Sequence, residues 1–199
     1  MIQAGRVLLA SQSAARLAVL RTAGVVAEAR PARVDEGAVR AGMKAEGADA
    51  EDVAFVLAGL KASRVRDVEA VVIGADQMLV CEGAWFDKPA DMAEAAGHLR
   101  ALRGRWHELV TAVVVHRDGA EIWRHLARPR LRMRTFSDAV LDAYLALEGE
   151  AVLSTVGAYR LEGAGIQLFD AVDGEHTAIL GLPLLPLLGF LRQTGVLAV

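Results

Sequence analysis

The sequence predicts a single mixed α/β domain over residues 1–199, and three observations carry that expectation. Short apolar runs at Val7 to Ala10, Val71 to Ile73 and Leu109 to Val115 have the length and apolar character of buried strands. Segments with apolar residues at helical spacing alternate with those runs, the order that builds an α/β sheet. No repeat, low-complexity tract or flexible linker interrupts that order. A chain of 199 residues is the size of one domain, or of two small lobes sharing a core. With 54% hydrophobic and 24% charged residues it is too apolar and too weakly charged for disorder.

Each element has its own local reason. Val7 to Ala10 is a buried strand running into Ser11-Gln12-Ser13, after which Leu17 and Leu20 share a helical face until Gly24 stops it. Asp49 caps a second helix, in which Val53, Val56, Leu57 and Leu60 repeat at i, i+3, i+4 and i+7 and Lys61 flanks that face. Val71 to Ile73 is a strand ending at Gly74-Ala75-Asp76, and Glu82-Gly83 turns the chain toward Ala84-Trp85-Phe86. Asp91 and Glu94 stand in capping-box register ahead of a helix bearing Met92, Ala95, Ala96, Leu99 and Leu102. A strand follows from Leu109 to Val115, then an Arg117-Asp118-Gly119 turn. The expected return strand alternates Leu131 and Met133 with Arg130, Arg132 and Arg134, placing the arginines on one face. Ser137 starts a helix with Leu141, Tyr144 and Leu145. The Gly-rich run 157–165, a strand at Ile166 to Phe169, and a helix from Pro183 to about Thr194 complete the order.

Composition also excludes some functions. A net charge of −3 provides no overall attraction for nucleic acid or an anionic membrane. The basic series Arg124, His125, Arg128, Arg130, Arg132 and Arg134 lacks interleaved aromatics and reads as a solvated strand face. Cys81 is the single cysteine, so the chain suits a reducing compartment and a cytoplasmic location is expected. Met1 to Ala10 is too short and too lightly basic for a signal peptide, and Ala178 to Leu191 carries two prolines and is too short to span a bilayer. No P-loop, no G-x-G-x-x-G and no H-E-x-x-H is present, and the five histidines show no i, i+4 pairing on an expected helix.

Chemistry is expected where strands end, because ligands of α/β sheets bind beyond carboxyl ends of strands. Ser11 and Ser13 open a helix, so their hydroxyls and the N–H groups behind them suit an anion, with Arg16 one turn in; a capping serine beside a solvated arginine is the other reading. Asp76 is a carboxylate leaving a buried strand for a cleft, or a turn residue. Glu36, in an expected loop with Asp35, offers a second carboxylate or simply a solvated pair. Lys61 and Lys88, taken separately, are ordinary helix and turn lysines.

In combination these segments resemble the Maf family of house-cleaning nucleoside triphosphate pyrophosphatases. The resemblance runs in order through Leu8 to Ser13, Asp35-Glu36, Lys61-Ala62, Ile73 to Gln77, Asp87 to Pro89, Leu99 to Gly104, Gly157 to Tyr159 and Gly181 to Pro183. It implies an elongated α/β fold related to inosine triphosphatases, a divalent metal (Mg²⁺, Mn²⁺ or Co²⁺), a nucleoside triphosphate substrate and a homodimer. It further implies that Ser11, Arg16, Lys61 and Lys88 hold the triphosphate, while Glu36 and Asp76 bind the metal and activate water, with Asp76 as general base. A carboxylate-held cation and flanking lysines suit cleavage between the α and β phosphorus, which must stabilise departing pyrophosphate.

The chain departs from the family pattern in places. The S-x-S-P-R-R element reads Ser11-Gln-Ser-Ala-Ala-Arg16, without the proline and one arginine, and Thr155 stands where D-K-A-G-A-Y has lysine. Gln77 after Asp76, with Glu162 in Glu162-Gly-Ala-Gly165, is similar to the branch acting on 7-methyl-GTP. If the backbone turns after Gly74-Ala75, Gln77 reaches a purine edge, and Glu162 accepts from guanine N1–H and its amine. A non-catalytic regulatory protein of cell division, in keeping with the septum-formation name of the family, is the rival reading.

Overall fold

The structure is a computed structural model describing residues 3–198; Met1, Ile2 and Val199, included in the expected unit 1–199, lie outside the described residues. The class is mixed α/β, with eight strands and seven α-helices among the described residues. The chain divides into two compact units. One comprises residues up to 77, 111–127 and from 177 onward; the other comprises 78–110 and 128–176.

In the first unit, β1 (Arg6–Leu9) pairs in parallel with β2 (Ala27–Ala29) and with β3 (Ala70–Cys81), Leu9 standing beside Ile73. Strand alternation sends Val7, Leu9, Val71, Ile73 and Ala75 into one core with Leu20, and Leu8, Ala10, Ala70 and Val72 into another against Ala62. The helix α1 (Ala14–Thr22) has only nine residues, too few to be stable alone. The Ser13 cap is worth about 1 kcal/mol, whereas burying Leu20, fully enclosed, contributes roughly 1.5–3 kcal/mol, so packing is the larger effect.

α3 (Ala50–Arg64) lies directly on β3 because Gly74 has no side chain. A Cβ there would stand 2.1 Å from the Ala58 carbonyl oxygen and 2.8 Å from the Ala62 nitrogen. Gly74→Ala is therefore expected to push α3 off the strand and to destabilise by at least the ~1–3 kcal/mol typical of overpacking. An unchanged urea midpoint would show that the helix has room to spare.

Several expectations are corrected here. β3 does not end at Asp76 but runs on to Cys81. Asp35 and Glu36 are not in a loop: Asp35 caps α2 (Glu36–Ala45), a helix hidden in the sequence by Gly37 and Gly42 and by the lack of any buried residue. After β5 (Trp106–Arg117) the strand that follows the turn is β6 (Ala120–Ala127), which the sequence reading missed; the arginine-rich strand 130–133 comes later and also pairs antiparallel with β5, Trp106 standing beside Arg132. α6 (His176–Ile179) and α7 (Leu184–Gln193) close this unit, α7 stacking Phe190 on Trp123.

In the second unit, the far end of β3 pairs with β4 (Ala84–Phe86) through the Glu82-Gly83 turn, where both residues have positive φ. α4 (Met92–Leu102) is capped by Asp91, and β7 (Arg130–Met133) exposes Arg130 and Arg132 while burying Leu131 and Met133. α5 (Asp138–Glu148) is capped by Ser137. The expected strand at Ile166 starts later: 164–168 is a 3-10 helix and β8 is Phe169–Asp173. Gly165 lets this segment pack on the backbone of Arg160, since a Cβ there would meet the Arg160 carbonyl oxygen at 2.4 Å.

Candidate active site

Beyond the carboxyl end of β1, Ser11 is buried and its Oγ accepts from the Ser13 N–H at 3.1 Å and from Arg16 Nη1 at 3.3 Å. Ser13 is the cap of α1, accepting from the Arg16 N–H. The Arg16 side chain is not solvated. Its Nε donates to the Gly181 carbonyl at 2.8 Å and its Nη1 to the Ala75 carbonyl at 2.9 Å. Gly181 is required for this arrangement: it has φ +90, and a Cβ there would lie 2.9 Å from Arg16 Nε. Burial pulls the guanidinium below its usual value, and the charges of Asp76 and Glu36 oppose that shift. Arg16 thus braces the β1–α1 turn against the residue preceding Asp76.

Gly74 and Asp76 share a face of β3, so the close approach of α3 also delivers Lys61 to Asp76. Lys61 Nζ lies 2.7 Å from Asp76 Oδ1 and 2.8 Å from Glu36 Oε1. Arg40, one turn after Glu36 on α2, places Nη2 at 3.1 Å from Glu36 Oε2 and 3.5 Å from Asp76 Oδ1. Two cations and two carboxylates therefore alternate in one cluster with no net charge. Asp76 is 2% exposed and Lys61 6%, so neither is the turn aspartate or the ordinary helix lysine of the other readings. Asp76 Oδ2 is enclosed without a hydrogen-bond partner. A buried acceptor left unpaired costs about 1–3 kcal/mol, more when charged, and is retained where something else completes it.

The Asp76 and Glu36 carboxylates together suit a divalent cation. Mg²⁺ is typically held by one or two carboxylates together with waters and substrate phosphates, not by a complete protein cage. Among the described residues no three His, Cys, Asp or Glu side chains converge on a metal position, so these two carboxylates match that pattern better than a structural zinc site.

A family model described as Maf-like protein matches residues 6–194. The chain belongs to that family. A nucleoside triphosphate pyrophosphatase of Granulibacter bethesdensis is 55% identical over 196 residues, 98% of this chain and 100% of the relative. Another, of Gluconobacter oxydans, is 53% identical over 96% of each chain. A 7-methyl-GTP pyrophosphatase of Rhizobium etli is 46% identical, covering 96% of this chain and 98% of the relative.

The remaining residues singled out in the sequence of this Maf-like protein make other contacts. Because β3 continues straight, Gln77 points to the face opposite Asp76. Its amide nitrogen donates to Thr111 Oγ1 at 2.8 Å and to the Ala178 and Ile179 carbonyls at 2.9 and 3.2 Å. The turn that a purine contact needed is absent, and both amide protons are committed to protein acceptors. Lys88 and Glu162 belong to the second unit. Lys88 is exposed after β4, and Glu162 is exposed with its carboxylate 3.4 Å from Arg160 Nε. The Gly-rich run that carries Glu162 is held by Glu148, which pairs with Arg160 Nη1 at 2.7 Å and accepts from the Ala164 N–H at 2.6 Å. His107 in the same unit meets Tyr159 at 2.9 Å, and burial pushes its imidazole down to about 4. The Cys81 thiol is buried, which raises it and leaves it inert.

Arg40 is the member of the cluster that the sequence reading missed. Its signal was the i, i+4 spacing from Glu36, legible only once α2 is known to be helical.

Proposed function

We propose that this Maf-like protein hydrolyses a nucleoside triphosphate to the monophosphate and pyrophosphate. The observation that carries the reading is the Glu36–Lys61–Asp76 ion-pair cluster, in which Lys61 and Asp76 are buried and one Asp76 carboxylate oxygen has no partner. Glu36 and Asp76 would hold the divalent cation, which when bound neutralises phosphate charge and orders the attacking water. Asp76 accepts the proton of that water at Oδ2, the oxygen Lys61 leaves unengaged. The water oxygen bonds to the α-phosphorus, the bond to the α,β-bridging oxygen breaks, and pyrophosphate leaves with the electron pair.

Lys61 pairs with Asp76 at 2.7 Å and offsets charge on the departing group. The Ser11 hydroxyl and the α1 N-terminus supply donors to phosphate oxygens, with Arg16 holding them in place. Gln77, whose amide is taken by Thr111 and the Ala178 and Ile179 carbonyls, is withdrawn from the substrate set. The name of the Rhizobium etli relative supports a guanine-type triphosphate, 7-methylated included, ranking above UTP and dTTP. Family membership supports the metal requirement and a homodimer, and the single buried cysteine supports a cytoplasmic setting. No helix among the described residues is long and apolar enough to cross a membrane.

A screen of canonical and methylated triphosphates with Mg²⁺, Mn²⁺ or Co²⁺ tests this. Monophosphate and pyrophosphate are the expected products. Orthophosphate release, or no turnover with any pair, would overturn the assignment and leave the non-catalytic reading standing.

A further inference from the structure

The two cations of the cluster are not equivalent. Lys61 sits on α3 between both carboxylates at 2.7 and 2.8 Å, with an 8% exposed side chain. Arg40 makes longer contacts, 3.1 and 3.5 Å, and its side chain is twice as exposed at 16%. Its helix, α2, has no buried residue, so α2 is not locked into an apolar core as α3 is. The guanidinium is also the better partner for phosphate, because its planar fork matches two oxygens at once while an ammonium acts as a point charge.

Charge counting shows what changes in the loaded site. With Glu36 and Asp76 engaged by a dication, Arg40 and Lys61 are no longer balanced by carboxylates. A triphosphate with about four negative charges needs both of them. We propose that Arg40 is a substrate-binding residue, a resident counter-ion of the Glu36–Asp76 pair that transfers its guanidinium to the triphosphate when a divalent cation takes the carboxylates. The inference rests on the pyrophosphatase reading above. It makes Arg40 a competitor of the metal and a partner of the nucleotide, so one substitution should move the two affinities in opposite directions.

The experiment measures Mn²⁺ binding without nucleotide, and then binding of a non-hydrolysable α,β-methylene guanosine triphosphate analogue in saturating Mn²⁺, by calorimetry on the full chain. Arg40→Gln should tighten Mn²⁺ binding by roughly tenfold, the scale of removing one nearby like charge under partial screening. It should weaken the analogue roughly tenfold or more through loss of charge-assisted bonds to phosphate. Arg40→Lys keeps the charge without the fork and should leave Mn²⁺ binding near wild type while still weakening the analogue. If Arg40→Gln does not fold, Arg40→Lys alone decides the matter by that split. Loss of both affinities together, as a merely structural arginine would cause, or unchanged analogue binding, would overturn the assignment. A wild-type protein that binds Mn²⁺ but neither binds the analogue nor turns over any triphosphate would overturn the pyrophosphatase reading itself and this inference with it.

Discussion

Asp76→Asn is expected to lower kcat for triphosphate cleavage by at least ~10²-fold, the low end for removing a positioned acid or base. Asparagine has the same shape, so the strand packing and the approach of α3 over Gly74 are retained. What disappears is the charge that holds Lys61 at 2.7 Å and the basic Oδ2 that has no protein partner. Two functions are lost together, proton acceptance and half of the carboxylate pair that suits a divalent cation. The variant should therefore also bind Mn²⁺ more weakly, a readout independent of turnover. Glu36→Gln removes the other carboxylate and should act in the same direction, although Glu36 is more exposed than Asp76 and its loss leaves the base in place. Activity persisting in Asp76→Asn with the same metal dependence would mean that Asp76 only takes part in the ion-pair cluster with Lys61.

Lys61→Met should produce the largest loss of stability of any single change in the site. The methionine fills the space of the lysine stem, so no cavity opens, but the cation that pairs with both carboxylates is gone. Removing one partner of a buried ion pair costs on the order of 3–5 kcal/mol, because the remaining charge stays enclosed without compensation. Arg40 remains near both acids and should keep the loss at the lower end of that range. The double variant Lys61→Met with Asp76→Asn removes the stranded charge as well, and is expected to be more stable than the sum of the single losses. Urea unfolding of the four proteins at neutral pH measures the coupling. Additive losses would show that Lys61 and Asp76 do not stabilise one another.

Much of the frame was legible from local pattern. The short apolar runs marked β1, β3 and β5, the i, i+3, i+4, i+7 spacing marked α3, and Asp91 with Glu94 marked the start of α4. These succeed because burial of one face imposes a period that side chains must follow. α2 and β2 were missed for the converse reason: α2 buries no residue and contains two glycines, and β2 is three residues long. Neither imposes a period on the chain. Missing α2 placed Glu36 in a loop and hid Arg40 altogether.

The sequence by itself determined which chemical groups this protein possesses: the acids at 36 and 76, the serines opening α1, and a lysine at the edge of an amphipathic helix. Only the tertiary structure decided which of them meet. Arg16 is expected at a phosphate from its position one turn into α1, but it is committed to carbonyls of Ala75 and of Gly181, the latter 165 positions away. Gln77 adjoins Asp76 in the chain, but the pleat turns it to the other face, where Thr111 and α6 take its amide. Ionic and hydrogen-bond energies depend on distances of a few ångströms between elements, and those distances are set by packing contacts such as Gly74 against Ala58, which spacing along the chain does not encode.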